Sequence, residues 1–271
     1  MQKGAFFWQL NKAVMNGEAD NIGSVLEKLI PLGLSFVDVG SVDINEKRGP
    51  KELLFELNKY GIYIASLYYI TNFDDDSIDL KELNKRMLDL CANLDCKLLM
   101  PVPRVKNPNK SDVQRQYWQD KIIDYLCETI SQSDEYGINI TLENFSDLNT
   151  PFSTIDDIKY ILDKLPGISY TLDTGNFWFA GNDAVVAAKK FSERISHVHL
   201  KDILPKSNGF LNINGKSCDS VAIGDGKISF PDIFNVLKKN GFDKTFSIEI
   251  NSNTDLLEKT IKSLMQLQYY K

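Results

Sequence analysis

Residues 195–200 of the sequence are Ile-Ser-His-Val-His-Leu, and the last four alternate between two kinds of side chain. Val198 and Leu200 are apolar, whereas His197 and His199 are polar. A period of two indicates a β-strand, because successive side chains of a strand point to opposite faces of a sheet. The segment therefore predicts a strand with one polar face and one apolar face.

Short β-rich segments of this kind alternate with amphipathic helical patterns along the whole sequence, which is typical of βα units and a parallel sheet. Eight strands are predicted, at Gly4–Trp8, Leu34–Val39, Ile62–Tyr68, Lys97–Val102, Ile138–Glu143, Ile168–Asp173, Ile195–Leu200 and Thr245–Ile250. Eight units of about 34 residues approach the roughly 250 residues of a (β/α)8 barrel. We therefore predict an α/β fold in which residues 1–271 form a single TIM-barrel domain, since no stretch resembles a linker.

A doubly wound open sheet is the alternative, and it would need a ligand-binding loop where the strand order reverses. Residues 224–229, Gly-Asp-Gly-Lys-Ile-Ser, lack the third glycine of a dinucleotide-binding loop. Residues 215–217, Gly-Lys-Ser, are preceded by Phe210 where a phosphate-binding loop requires glycine. Both segments are interpreted as ordinary loops.

Helix-start and helix-stop signals support the βα pattern. Ser229 is predicted to begin a helix that ends before Gly241, and Thr254 is predicted to be the N-cap of the last helix. A long helix is predicted between Ser111 and Gly137.

The composition excludes several classes of protein. The chain has 271 residues, 43% hydrophobic and 25% charged, as in ordinary globular proteins. Its formal net charge of −6 argues against nucleic acid as a partner, because that affinity depends on clustered Lys and Arg. No run of apolar residues is long enough to span a membrane, and no signal peptide is apparent. The 4 cysteines form no CxxC motif, so reduced thiols and a cytoplasmic location are expected.

The polar faces of the last four predicted strands carry the candidate active site. If the apolar sets pack against outer helices, the polar sets point into the barrel. Active sites of such barrels lie at the C-terminal ends of the strands, and Glu143, Asp173, His199 and Glu249 lie at or near those ends. For each residue alone, a capping acid or a buried core histidine is the simpler interpretation. Together they predict a metal site, because grouped buried carboxylates need a counter-charge.

The expected cofactor is one divalent metal ion. An oxygen-rich set with one histidine favours Mn²⁺ or Mg²⁺, with Mn²⁺ preferred, and Co²⁺ and Zn²⁺ remain compatible.

Other residues are candidates for substrate binding. Lys201 continues the inward-facing set and either binds a substrate oxygen or reaches solvent. Arg104 either holds an anionic end of a substrate or lies on the surface. His197 either supports the site or packs in the barrel. The remaining candidates are Asn176 and three aromatic residues that are expected to wall the pocket or to pack in the core, namely Trp8, Tyr68 and Trp178.

The segment 202–229 is long, polar and rich in glycine. We expect part of it to fold over the site and exclude water.

Five short motifs resemble those of the xylose isomerase-like TIM-barrel superfamily. They are Leu142-Glu143-Asn144, Leu172-Asp173-Thr174-Gly175-Asn176, Val198-His199-Leu200-Lys201-Asp202, Gly224-Asp225-Gly226 and Ser247-Ile248-Glu249. The resemblance covers residue 138 to the C-terminus, and the first half matches only in architecture. The superfamily includes sugar isomerases and epimerases, inosose and dehydroshikimate dehydratases, and endonuclease IV.

This resemblance implies that Glu143, Asp173, His199 and Glu249 bind the metal. It also implies that Glu143 and Glu249 move a proton at the carbon next to a carbonyl, one on each face of the substrate. The sequence departs from the superfamily at Asn176, where histidine is frequent. It has only 2 histidines, fewer than the trinuclear site of endonuclease IV uses.

The predicted function is therefore a metal-dependent isomerase or epimerase of a sugar or sugar-derived hydroxy ketone, acting through an enediolate. A dehydratase in the same barrel is the alternative, and a non-catalytic sugar-binding barrel is a third possibility. The expected partner is a small sugar or keto-acid substrate, and the chain is compatible with a homo-oligomer.

Overall fold

The predicted (β/α)8 barrel is confirmed by a computed structural model, which describes residues 1–46, 48–105, 112–212 and 214–270. The strands are β1 (Gln2–Phe6), β2 (Leu34–Gly40), β3 (Tyr63–Asn72), β4 (Leu98–Arg104), β5 (Asn139–Glu143), β6 (Ser169–Asp173), β7 (Ile195–Leu200), β8 (Asp202–Leu211), β9 (Ser217–Val221) and β10 (Thr245–Ile248). All but β8 and β9 are parallel and close into a barrel in the order β1-β10-β7-β6-β5-β4-β3-β2.

Helices surround the barrel, and their apolar faces pack against the outward side of the strands. They are α1 (Phe7–Met15), α2 (Ile22–Leu29), α3 (Pro50–Asn58), α4 (Leu80–Asn93), α5 (Asp112–Ser133), α6 (Ile155–Lys164), α7 (Asn176–Phe179), α8 (Ala184–Phe191), α9 (Phe230–Lys239) and α10 (Leu256–Gln266). Among the described residues, no helix combines the length and apolarity needed to cross a bilayer. All four cysteines are free thiols.

The barrel interior is polar, as the alternating strands predicted. Thr141 of β5 and Thr171 of β6 share a buried hydrogen bond of 2.8 Å between their hydroxyls. Near the N-terminal end of the barrel, a Cβ on Gly4 would lie 2.1 Å from the ring of Phe36. Glycine is therefore needed in β1 because the Phe36 ring fills this part of the interior.

Several predicted strand ends differ from the structure, since β3 continues to Asn72, β4 continues to Arg104 and β10 ends at Ile248. Two further predictions are wrong. Trp8 lies in α1 and not in a strand, because the spacing of Phe7, Leu10 and Ala13 buries one helical face directly after β1. Thr254 is not an N-cap, since α10 begins at Leu256. Its first turn is capped instead from a distant part of the chain, because the Leu257 N–H donates to the Glu18 carboxylate at 2.7 Å.

The other helix-end predictions hold where they are described. Ser229 precedes α9, and Gly241 beyond its end has a φ of +70°. Gly137 has a φ of +60° after the single 3₁₀ turn that follows α5. Ser111 lies outside the described residues.

The segment after β7 forms an antiparallel hairpin of β8 and β9, which the sequence did not predict as strands. Its polar, glycine- and proline-bearing sequence lacks the alternation that identifies a buried strand. Asp202 at its start accepts backbone hydrogen bonds from Gly224 at 2.9 Å, Gly226 at 2.8 Å and Ile228 at 3.2 Å. A Cβ on Gly226 would lie 2.1 Å from the Asp202 carboxylate, so this glycine allows the loop to close on the hairpin.

Candidate metal centre

The four predicted ligands lie together at the C-terminal end of the barrel. Glu143 and Asp173 end β5 and β6, His199 is near the end of β7, and Glu249 directly follows β10. One ligand atom from each lies within 4.8 Å of the others. The strand register explains this, because Asp173 pairs with His199 and the Glu249 N–H donates to the Leu200 carbonyl at 3.0 Å.

Asp173 is oriented by the turn that follows its own strand. Its Oδ1 accepts hydrogen bonds from the N–H groups of Gly175 at 2.8 Å and Asn176 at 2.7 Å. Its Oδ2 is buried and faces the cluster, where the Lys201 ammonium lies 2.9 Å away. One carboxylate oxygen thus holds the loop while the other is presented to the cluster.

His199 presents its two ring nitrogens to different surroundings. Nδ1 lies 2.5 Å from Glu143 Oε1 and 4.0 Å from Glu249 Oε2. Nε2 points away from these acids and lacks a hydrogen-bond partner among the described residues. The ring of Phe6 packs edge-on against the imidazole, with centroids 4.7 Å apart.

Lys201 enters the cluster and does not reach solvent, since its side chain is only 5% exposed. Its Nζ lies 2.9 Å from Asp173 Oδ2 and 2.8 Å from Glu249 Oε1, and it donates to Asn176 Oδ1 at 2.9 Å. A Cβ on Gly175 would lie 2.7 Å from Lys201 Cγ, so this glycine makes room for the lysine.

Burial and mutual repulsion dominate the electrostatics of the cluster. Burial, followed by the charge of Glu249, raises the pKa of Glu143 to about 8. Burial also raises the pKa of Glu249, against the opposing effect of Lys201. Burial lowers the pKa of His199 despite the nearby carboxylates. Burial would lower the pKa of Lys201 too, but the charges of Asp173, Glu249 and Glu143 outweigh it and raise that pKa.

The cluster fits a divalent cation. It contains three carboxylates and one imidazole, and the single ammonium of Lys201 supplies less positive charge than three ionised carboxylates require. A second group, Asp38 with His197 and His199, also has atoms close enough to hold an ion. That group is fully enclosed, and a hydrogen bond between Asp38 and His197 already pairs two of its members. The first group lies beside a cavity, because Lys201 and Asn176 contact Asp173 and also line that cavity, and it is the better candidate.

The cavity above the cluster has a volume of about 570 Å³. Four of the predicted substrate-binding residues line it, namely Trp8, Arg104, Asn176 and Lys201. Phe145, Phe179 and Leu211 line it as well and were not singled out from the sequence. The hairpin contributes Leu211, Cys218 and Ser220, in agreement with the expectation that part of the segment 202–229 covers the site.

Two predicted aromatic residues lie outside the described cavity lining. The ring of Tyr68 packs at a tilt of 58° against that of Phe6, with centroids 5.4 Å apart, and lies over Gly40. Trp178 contacts the ring of Phe179. Phe179, and not Trp178, lines the cavity. Helical geometry explains the exchange, because neighbouring residues of α7 point about 100° apart around its axis.

Arg104 lies at the rim and is already paired. Its guanidinium contacts Asp147 Oδ2 through Nε at 3.3 Å and through an Nη at 3.2 Å, and its side chain is 44% exposed. Both sequence-based interpretations of Arg104 are partly met, because its side chain lines the cavity and is also exposed to solvent.

Two buried residues beside the site were missed by the sequence analysis. Asn144 ties β5 to β6, because its side chain accepts from the Asp173 N–H and donates to the Asp173 carbonyl, each at 3.0 Å. Asp38 lies in β2 beneath the histidines. An acid within the apolar run Phe36-Val37-Asp38-Val39 was a usable signal, because such a residue needs a buried partner.

Comparison with known proteins agrees with the barrel. Residues 31–267 match the family model of the xylose isomerase-like TIM barrel. The chain belongs to this family. Its relatives and structural neighbours include proteins described as dehydratases and as an epimerase.

An inosose dehydratase of Bacillus cereus (strain AH820) is 30% identical over 168 residues, which are 58% of this chain and 54% of that protein. The chain thus spans about half the length of the curated relatives it matches.

Two solved structures show the same fold over nearly the whole chain. The IOLI protein with a bound zinc atom has a TM-score of 0.78 at 18% identity, covering 100% of this chain and 99% of that one. The probable 3-DHS dehydratase AsbF from Bacillus anthracis has a TM-score of 0.74 at 14% identity, covering 98% of both chains. At these identities the likeness establishes the architecture alone.

Proposed function

We propose that this protein is a metal-dependent dehydratase of a polyhydroxylated cyclic ketone. The observation that carries the proposal is its similarity to inosose dehydratases, at 30% identity over 168 residues. The acid cluster below the cavity supports it, because removal of water next to a carbonyl requires an acidified C–H bond and a proton donor.

Glu143, Asp173, His199 and Glu249 are proposed as the ligands of one divalent cation. Their oxygen-rich composition favours Mn²⁺ over Zn²⁺. When bound, such a cation supplies Lewis acidity, which acidifies the carbon next to a carbonyl and stabilises the negative charge that develops there.

The protein's own groups then carry the proton transfers. The Glu249 carboxylate removes the proton from the carbon next to the carbonyl. The electrons of that C–H bond form a C=C bond as the hydroxyl leaves the following carbon. Glu249 then returns this proton to the departing hydroxyl, so that water is released and the carboxylate is restored. Lys201 and Asn176, which line the cavity beside Glu249, bind substrate oxygens.

An epimerase or isomerase of a hydroxy ketone is the second candidate. It is favoured by the placement of Glu143 and Glu249, which come from β5 and the end of β10 with β6 and β7 between them. Carboxylates on two sides of the cluster suit removal of a proton from one face and its return on the other.

One experiment separates the two reactions. EDTA-treated protein reloaded with Mn²⁺ is incubated in D₂O with inososes, dehydroshikimate and ketoses, and the quenched, metal-stripped products are followed by proton NMR and ultraviolet absorbance. Dehydration gives a product with an unsaturated carbonyl chromophore. The proton signal of one hydroxyl-bearing carbon of the substrate disappears at the same time. An epimerase gives a deuterated stereoisomer without a chromophore, and this result would replace the main proposal.

The variants Glu143→Gln and Glu249→Gln are expected to lower turnover by at least about 100-fold, Glu249→Gln because the general base is lost and Glu143→Gln because a charged ligand of the cation is lost. Glu258→Gln is the matched control, because Glu258 is an exposed residue of α10 on the outside of the barrel. If metal binds but no substrate in any class reacts, the catalytic proposal is rejected in favour of a sugar-binding barrel.

A further inference from the structure

Asp38 is a fully buried carboxylate in the barrel interior, directly below the proposed ligand His199. Its Oδ1 accepts a hydrogen bond from the hydroxyl of Ser66 at 2.7 Å. Its Oδ2 faces both histidines of the chain, at 3.0 Å from Nε2 of His197 and 3.8 Å from Nε2 of His199. Burying a carboxylate costs free energy, so packing alone does not explain why this acid lies against two imidazoles.

His197 holds this carboxylate in place. Because an ionised carboxylate only accepts hydrogen bonds, His197 donates its Nε2–H to Asp38. Nδ1 of His197, 2.6 Å from Thr245 Oγ1, then accepts from that hydroxyl. Each link of the series Thr245–His197–Asp38 is thereby hydrogen-bonded, and the series orients Oδ2 toward the next ring.

The two edges of the His199 ring face opposite kinds of group. The Nδ1 edge faces the proposed ligands Glu143 and Glu249, and Nδ1 accepts the 2.5 Å hydrogen bond from Glu143 Oε1 when that carboxyl carries a proton in the metal-free protein. The Nε2 edge faces Asp38 across a gap too long for a hydrogen bond, and Nε2 has no hydrogen-bond partner among the described residues. A histidine binds a metal through its unprotonated nitrogen, and the group beside the other nitrogen decides which tautomer is present.

We infer that Asp38 is the positioning residue of His199: its negative charge keeps the proton on Nε2, so that the lone pair of Nδ1 faces the three carboxylates. His197 and Thr245 support this arrangement by orienting Asp38. The inference rests on the proposed ligand set of Glu143, Asp173, His199 and Glu249.

Because the chain has only 2 histidines, long-range ¹H–¹⁵N NMR can show directly which ring nitrogen of each carries a proton and which binds a metal. One equivalent of Zn²⁺, which is diamagnetic, is added to metal-free, ¹⁵N-labelled wild-type protein. The expected spectrum shows His199 bound through Nδ1 with a proton on Nε2, and His197 unligated with a proton on Nε2. Binding through Nε2 of His199, or ligation of His197, overturns the inference while leaving the cluster as a metal site.

The stoichiometry gives a second test. Two Zn²⁺ ions per chain would show that Asp38, His197 and His199 form a metal site of their own, which overturns a positioning role. If wild-type protein binds no Zn²⁺, the proposed ligand set fails, and the role of Asp38 fails with it.

The variant Asp38→Asn is expected to bind Zn²⁺ about 10- to 100-fold more weakly in calorimetry, as is usual when the partner of a metal-bound histidine is removed. Asp157→Asn is the matched control, because Asp157 is another buried acid but pairs with Arg115 outside the barrel. Its Zn²⁺ affinity should stay within about 3-fold of wild type. Equal losses in both variants would indicate general destabilisation and reject the inference. If Asp38→Asn does not fold, the wild-type spectrum still decides.

Discussion

Lys201 Nζ lies 2.8 Å from Glu249 Oε1, inside the group of residues proposed to bind a metal. The same ammonium lies 2.9 Å from Asp173 Oδ2. Two of the four proposed ligands are therefore in contact with a fixed positive charge. This relationship makes the lysine both a stabiliser of the carboxylates and an electrostatic competitor of any cation that binds there.

Lys201→Met is expected to raise the affinity for Mn²⁺ by about 10-fold or more, because like charges a few ångströms apart repel by several kcal/mol even at an effective dielectric constant of 20. Calorimetry on metal-free protein measures this without reference to turnover. Lys262→Met, which removes an exposed lysine paired with Asp225, should leave the affinity unchanged. A weaker affinity in Lys201→Met would mean that the lysine chiefly holds the ligands in place.

Metal affinity should depend on pH. The pKa of Glu143 is raised to about 8, so at pH 6 this carboxyl carries a proton that must leave when a cation binds. Apparent Mn²⁺ affinity is therefore expected to rise between pH 6 and 8, by about 10-fold per unit for one released proton, and to level off above pH 8. Titrations at several pH values measure the slope.

Glu143→Gln should bind the metal more weakly and lose much of that slope, whereas Glu258→Gln should retain it. An affinity that is constant from pH 6 to 8 in the wild type would contradict the raised pKa of Glu143.

Asp202→Ala is expected to destabilise the protein by about 2–4 kcal/mol, because the backbone N–H groups of Gly224, Gly226 and Ile228 lose a charged acceptor. Urea unfolding gives the free energy. Asp219→Ala removes a partly exposed acid of the same hairpin and is expected to cost less than about 1 kcal/mol. Similar losses in the two variants would argue that Asp202 does not hold the 224–228 loop.

Gly4→Ala should destabilise the barrel by about 1–3 kcal/mol, since its Cβ would lie 2.1 Å from the ring of Phe36. The double variant Gly4→Ala/Phe36→Leu should recover part of this loss, because the smaller side chain removes the overlap. Gly167→Ala is the control, as the nearest atom to its Cβ is Ile130 Cγ2 at 3.7 Å. Full additivity of the two changes in denaturant unfolding would contradict the contact.

Much of the fold was predictable because the strands are regular. The alternation in residues 138–143 and 168–173 placed Glu143 and Asp173 on the inner face, and the structure brings them together. Boundaries were less predictable where a distant residue decides them. The start of α10 depends on Glu18, which is 239 positions away and which no local pattern connects to Leu257.

Within the candidate site, the roles of lysine and aspartate were harder to predict than the ligand set. Lys201 follows His199 by two positions, and this spacing alone left open whether its side chain turned toward the acids or toward solvent. The structure places it against Asp173 and Glu249, because Gly175 leaves the space that its side chain crosses.

In the last four barrel strands the sequence by itself determined which residues face the inside, because the period of two is a property of each strand and needs no distant contact. Only the tertiary structure decided which inward groups meet. Asp38 and His197 are separated by 159 positions, and their contact across the interior exists because the barrel closes. Contacts of this kind follow from the closure and register of all eight strands together, which no single segment encodes.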